Sequence, residues 1–341
     1  MYLIYFFLAF FLSLILTVGV RYLMRRFGIV DEARKEDRKI HKKSVPLGGG
    51  LAIFASFFIL AFLFRNNFSE NFDVVHLLGL FLGGLIIIIG GIFDDKYKLK
   101  AKQQIWFPII AALVVVLFKI GPEIITNPFG GVFYLSTWQV GQYMILANLL
   151  VFFWLMAMMF TTKLLDGLDG LVTGVVSIGA IMIFFLSLQA QWFQPDVALL
   201  SILFAGSCVG FLIWNWYPAK IFLGEGGSLF TGFMLGALAI VSGGKIATTL
   251  LVMGMPMLDI IRVVFLRIKK GKPIYVGDSE HLHFRLLQSG LTQRQAVLLF
   301  YSISFLFGVT TLFLQSSQKL IALIFLFILM LLLGVWFSRK K

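Results

Sequence analysis

The residues able to do chemistry in this chain are few, and they stand in short motifs at the ends of long apolar runs. Asp94 and Asp95 close the run Leu85 to Phe93 and open DDKYKLKAKQQ, with lysines at 96, 98, 100 and 102. Neighbouring residues on a helix are about 100° apart, so both carboxylates can reach one cavity, and lysines so placed can hold phosphates. In KLLDGLDGL, Lys163, Asp166 and Asp169 are three apart. That spacing predicts one helical face, thinned by Gly167 and Gly170 for a ligand or a second helix. A Lys163–Asp166 salt bridge is the plainer reading. FLGEGGS sets Gly224, Gly226, Gly227 and Ser228 at the start of an apolar run. Free N–H groups and the positive end of the helix dipole suit a phosphate there, and Glu225 adds a carboxylate suited to Mg²⁺. HLHFRL gathers His281, His283 and Arg285, a group better suited to an anion than to zinc because no cysteine or third histidine is near. His41, Lys42 and Lys43 bring further positive charge ahead of Pro46-Leu-Gly48-Gly49-Gly50. Together these groups suit Mg²⁺-assisted chemistry on a phosphorylated, partly lipidic substrate.

The elements that must position them are membrane helices. Of 341 residues, 60% are hydrophobic and 13% charged, and the mean hydropathy is +0.95. Soluble domains carry about 25% charged residues, so a soluble enzyme, a disordered chain and a nucleic-acid-binding domain are disfavoured. The one cysteine, Cys208, excludes an internal disulfide and a multi-cysteine metal site. Windows of about 20 apolar residues predict eleven spans, near 2–20, 47–64, 75–93, 104–120, 141–160, 170–190, 196–216, 227–243, 246–267, 296–314 and 319–337. The fold expected is an all-α polytopic helical bundle forming a single integral domain over 1–341. The first span lacks a basic residue before it and has Arg21, Arg25 and Arg26 after it, the reverse of a secretory signal.

Of the 29 Lys and Arg residues, 25 fall on the side of the odd-numbered loops and the C-terminus, and only Arg65, Lys119, Lys245 and Lys319 on the other. This asymmetry predicts an N-terminus outside and a C-terminus in the cytoplasm. Twelve of the 16 acidic residues share the basic side. Acids do not follow the charge rule of membrane insertion, so their gathering asks for another cause. Asp259, isolated in its run, reads as a helix end emerging into solvent.

At these residues the chain resembles the polyprenyl-phosphate N-acetylhexosamine-1-phosphate transferases, glycosyltransferase family 4, which include the phospho-muramoyl-pentapeptide translocase. Arg38-Lys39-Ile40-His41…Pro46-Leu-Gly-Gly-Gly, GGIFDDKYKLKAK, LLDGLDGL, FLGEGGSLFTG and HLHFRL come in the family's order between residues 31 and 286. The His-Leu-His loop looks more like the surface-polysaccharide and teichoic-acid branch than the muramoyl branch. The resemblance implies transfer of a HexNAc-1-phosphate, with GlcNAc the expected sugar, from a UDP-sugar to undecaprenyl phosphate, releasing UMP. It implies an active site on the cytoplasmic face of a bacterial inner membrane, and leaves a homodimer open. It makes Asp94, Asp95, Asp166, Asp169 and His281 the catalytic set. Mg²⁺, or Mn²⁺ in its place, would sit on Asp94, Asp95, Asp169 and Glu225. Substrate would meet Lys42, Lys102, Lys163, Gly224, Gly226, Ser228, His283 and Arg285. The chain departs from the family's pattern at Glu225, where Asp is usual, at Phe160 and Lys163, where Asn precedes DGxDG, and at Phe284, where histidine is usual. A scaffolding homologue with a weakened site and an ion-coupled transporter are the alternative readings.

Overall fold

A computed structural model describes residues 1–32, 44–68, 74–127, 129–140, 143–190, 193–242, 245–269, 271 and 280–339. His41 and Lys42 lie outside the described residues. The helices are α1 (Tyr2–Arg26), α2 (Gly50–Leu63), α3 (Val74–Tyr97), α4 (Ala101–Gln104), α5 (Trp106–Leu117), α6 (Ile145–Leu165) and α7 (Leu171–Ser187). They continue with α8 (Pro195–Asn215), α9 (Gly224–Val241), α10 (Ile246–Val252), α11 (Gly254–Lys269), α12 (Leu282–Gln288), α13 (Gln293–Thr310) and α14 (Ser316–Arg339). Strand is confined to three two-stranded antiparallel pairs among the described residues. They are β1 (Val30–Asp31) with β2 (Val45–Pro46), β3 (Ile124–Thr126) with β4 (Val132–Tyr134), and β5 (Gln139–Val140) with β6 (Tyr143–Met144).

Each predicted span overlies helix. Among the described residues five helices, α1, α3, α6, α8 and α9, are long and apolar enough to cross a bilayer, and α10 with α11 makes a sixth if the bent pair is one span. The rest of the apolar helix is in shorter pieces, including α2, the α4–α5 stretch and α7. The chain is thus an all-α, multi-pass membrane protein. Helices α8 and α9 form the centre and are buried along nearly their whole length. Helix α1 packs on α8 and leaves Leu3, Ile4, Phe7, Phe11 and Ile15 exposed on its outer face.

That packing needs small residues, since lipid tails are as apolar as leucine and helices associate by close contact. A Cβ on Gly206 or Gly210 of α8 would stand 2.5 Å from the Phe6 carbonyl oxygen or 2.2 Å from that of Phe10 on α1.

Two further differences from the predicted spans have a local cause. The ninth, expected unbroken over 246–267, bends by 75° between α10 and α11. Pro256 has no N–H for the Val252 carbonyl and its ring crowds it. The Ser304 hydroxyl of α13 donates to that carbonyl at 2.8 Å instead, satisfying a group that lipid could not. The fifth, expected over 141–160, begins at Ile145 because Tyr143 and Met144 pair with Val140 and Gln139. It runs on to Leu165, with the Thr161 and Thr162 hydroxyls bonded back to carbonyls one turn earlier. Lys163 is therefore in the last turn of a helix, not in a loop.

Gly210→Ala is expected to force α1 off α8 and to cost about 1–3 kcal/mol, the usual penalty for overpacking. Thermal unfolding in detergent checks this, and an unchanged midpoint would show that the two backbones are not in contact.

Candidate active site

Five helix ends meet at one end of the bundle: the C-termini of α3, α6 and α8 and the N-termini of α7 and α9. They enclose a cavity of about 990 Å³, walled also by β1 and β2, at the upper end of the range for ligand pockets.

Asp94 is buried, and its Oδ1 accepts from the Leu99 N–H at 2.8 Å and from Gln104 Nε2 at 2.9 Å. It thus closes the turn from α3 into α4. Asp95 Oδ1 accepts the Glu225 N–H at 3.1 Å, capping α9 from another helix. Its Oδ2 is buried without a hydrogen-bond partner. The backbones of α3 and α9 touch here, since a Cβ on Gly91 would fall 2.0 Å from the Gly226 Cα. Gly224 has φ +77°, and its Cβ would stand 2.4 Å from Asp95 Oδ2 and 2.6 Å from the Gly48 N. Only glycine adopts that angle there without strain.

The spacing of Lys163, Asp166 and Asp169 does not place them on one helical face. Helix α6 stops at Leu165, and the chain turns through 166–170 to Gly170 at φ +78° before α7 begins. The Asn215 side-chain oxygen Oδ1 accepts the Gly170 N–H at 3.0 Å, while Asn215 Nδ2 donates to the Ile221 carbonyl at 3.0 Å. Tyr301 donates its hydroxyl to the Gly170 carbonyl from the other side. So held, Asp169 Oδ2 accepts the Ala219 N–H at 2.9 Å, and Asp166 faces the cavity. Lys163 pairs not with Asp166 but with Glu225, Nζ to Oε2 2.9 Å, and also donates to Gln104 Oε1 at 3.0 Å. Two of the positions that depart from the family's pattern therefore touch each other.

The glycine-rich turn also serves helix packing. Gly226 and Gly227 are spent on backbone contact with Gly91 and Gly50. Gly224, Glu225 and Ser228 line the cavity, and the Ser228 hydroxyl donates to the Glu225 carbonyl at 3.0 Å. Lys102 is exposed on α4 and is not on the cavity wall, whereas Lys98 is.

The His-Leu-His segment packs behind the wall. The His283 ring lies under Gly167, where a Cβ would meet its Nε2 at 2.3 Å. Burial, and then the neighbouring His281, bring its pKa down to about 3, so it is neutral at physiological pH. His281 Nδ1 is 3.1 Å from Asp259 Oδ2, which also accepts the Leu282 N–H at 2.9 Å. Arg285 is half-buried on α12, away from the wall. Asp259 does not emerge into solvent. It is buried, with Arg262 NH2 on its other oxygen at 2.7 Å and on the Glu280 carbonyl at 2.7 Å. An acid in an apolar run with an arginine three residues on carried that signal. Gln104, Asn215 and Asp31, which also line the cavity, are missed by motif reading because each acts only through its neighbours in space.

Among the described residues, the wall carries six carboxylates (Asp31, Asp94, Asp95, Asp166, Asp169 and Glu225) against two ammonium groups, Lys98 and Lys163. Enclosure, then the Glu225, Asp95 and Asp169 carboxylates, push the Asp166 carboxyl well above the usual range although it opens on the cavity. Phosphates entering so acidic a space need added positive charge. The donors are hard oxygens, and the orphaned Asp95 Oδ2 is one waiting acceptor, so the wall fits Mg²⁺. No three donors among the described residues close on one point. An ion here would keep places for water and phosphate, as Mg²⁺ does with nucleotides.

A raised carboxyl holds its proton more tightly folded than unfolded, so stability falls as pH climbs from about 4 through the raised value. Asp166→Asn is expected to melt higher than the parent at pH 8 with divalent ions chelated, and alike near pH 4. A lower midpoint at both pH values would contradict this. Asp259→Asn strands Arg262 and His281 and is expected to cost about 3–5 kcal/mol, read as a lower unfolding midpoint; an unchanged midpoint would deny the lock.

Residues 77–243, which hold Asp94, Asp95, Asp166, Asp169 and Glu225, match the family model described as "Glycosyl transferase family 4". The chain is 31% identical over 328 residues to the "Probable undecaprenyl-phosphate N-acetylglucosaminyl 1-phosphate transferase" of Bacillus subtilis, covering 94% of this chain and 87% of that one. It is 32% identical over 313 residues to the decaprenyl-phosphate N-acetylglucosaminephosphotransferase of Mycolicibacterium smegmatis, covering 84% and 75%. It is 28% identical over 320 residues to the phospho-N-acetylmuramoyl-pentapeptide-transferase of Prochlorococcus marinus, covering 86% and 85%. With one acidic cavity built at the family's motifs and relatives that match along most of their length, the chain belongs to glycosyl transferase family 4.

Proposed function

We propose that this protein transfers N-acetylglucosamine 1-phosphate from UDP-GlcNAc to undecaprenyl phosphate, releasing UMP and starting a lipid-linked cell-envelope polysaccharide. The observation that carries it is the single cavity on which Asp94, Asp95, Asp166, Asp169 and Glu225 converge with Lys98 and Lys163. A phosphate oxygen of the lipid attacks the β-phosphorus of the nucleotide sugar. The bond from that phosphorus to the bridging oxygen breaks, and UMP leaves with the oxygen. A lipid phosphate arriving with a proton gives it to a carboxylate of the wall, for which Asp94 and Asp95 are the candidates. Mg²⁺ held by Asp94, Asp95, Asp169 and Glu225 would supply the charge that displacement at phosphorus requires. Lys163 and Lys98 would meet phosphate oxygens, and the α9 N-terminus favours negative charge beside it.

The rim supports a lipid substrate. Phe93, Tyr97, Ile105 and Trp106 are exposed beside Asp94 and Gln104, where an isoprenoid tail can lie while its phosphate enters. The positive-charge asymmetry supports a cytoplasmic cavity in a bacterial inner membrane, with eleven crossings and the N-terminus outside. An ion-coupled transporter would carry its carboxylates near the middle of the bundle; here they gather at helix ends.

Purified protein with Mg²⁺, undecaprenyl phosphate and UDP-GlcNAc is expected to release UMP. Asp94→Asn, Asp95→Asn and Asp169→Asn are each expected to lower turnover by about 100-fold or more. No UMP from any UDP-HexNAc, with either Mg²⁺ or Mn²⁺, would defeat the enzyme reading.

A further inference from the structure

Lys163 is placed unlike Lys98, the other lysine on the cavity wall among the described residues. Its ammonium sits between the two acidic flanks, 2.9 Å from Glu225 Oε2 on α9 and 3.0 Å from Gln104 Oε1. Through Gln104 Nε2 it reaches Asp94 Oδ1, which that amide meets at 2.9 Å. Gln104 also donates to the Leu99 carbonyl at 2.9 Å, so the amide that steadies the ammonium is itself fixed. The two side chains of the pair are 19% and 38% exposed, and both line the cavity. The ammonium is thus held on the cavity wall, which among the described residues has a surplus of carboxylates. On such a wall an unpaired Glu225 would repel an entering phosphate, and an untethered lysine would spend side-chain entropy to find one.

We propose that Lys163 and Glu225 work as one unit: the ammonium is a built-in cation that receives the diphosphate of the donor, and Glu225 holds it in place until the donor arrives. This rests on the transferase reading and deepens it, making Lys163 a residue that sets donor affinity. A charged partner tethered in place meets its ligand with fewer rotamers to lose. The Glu225 carboxylate is freed as the ammonium turns to phosphate, so the wall gains an open oxygen when the donor binds.

Two measurements on the full-length protein in detergent test this. UDP-GlcNAc is titrated by calorimetry in Mg²⁺ without lipid acceptor, and unfolding is followed without divalent ions or nucleotide. Lys163→Gln is expected to weaken UDP-GlcNAc by about tenfold or more, with Lys163→Arg within about threefold because it keeps the charge. In unfolding, Lys163→Gln is expected to lower the midpoint, and Lys163→Gln with Glu225→Gln to restore much of the loss, as coupled residues do. Donor affinity unchanged in Lys163→Gln, or midpoint changes that simply add, would overturn the pairing. A parent that releases UMP while Lys163→Gln binds as the parent does overturns the unit alone. A parent that binds no UDP-GlcNAc overturns the transferase reading and this proposal with it.

Discussion

The site depends on one contact, the carboxylate at the end of α3 that accepts the Glu225 N–H in the first turn of α9. Helix N-termini carry N–H groups with no partner of their own, and within a membrane bundle water is not at hand to satisfy them. Asp95 meets that need for Glu225, while a carboxylate at a helix C-terminus, opposed by its own dipole, gains a positive one. The bond forms only because the two backbones touch at Gly91 and Gly226. Once it is made, Glu225 stands opposite Lys163, Lys163 reaches Gln104, and Gln104 holds Asp94. Motifs far apart in the chain thereby become one wall.

The second constraint is electrostatic. Among the described residues the wall sets six carboxylates against two ammonium groups; Asp94, Asp95 and Asp169 accept backbone N–H groups there, yet crowding like charges is costly. Such strain is common where groups must stand ready for a ligand. It is borne by rigid surroundings: the 166–170 turn is clamped by Asn215 and Tyr301 and underlaid by His283. His281 in turn is pinned by Asp259 and Arg262. His281 and His283 thus stand behind the turn that carries Asp166 and Asp169.

Much of this was legible in the sequence, because a bilayer leaves a chain few options. Buried backbone groups must pair within a segment, so apolar runs of bilayer length become helices, and each predicted span does overlie one. Charge is expensive in lipid, so the rare acids stand out along the chain; Asp94, Asp95, Asp166, Asp169 and Glu225 all line the cavity. What spacing could not carry was direction. Lys163, Asp166 and Asp169 look like one helical face until Gly170 takes a left-handed angle and the helix ends. That Gly226 meets the backbone of Gly91 is not written in the spacing of FLGEGGS. Asp259 looks like a stray helix end until His281 closes on it.

Composition and hydropathy settle helix and membrane and mark the rare charged residues, because those follow from the transfer of each side chain between water and lipid, a property local to the residue. Partnership does not follow from them. That Lys163 answers Glu225 rather than Asp166, and that Asp95 caps a helix begun 130 residues later, depends on which backbones can come within contact. Contact is decided by shape across the whole bundle, where one absent Cβ admits a neighbouring helix and one present Cβ would keep it out.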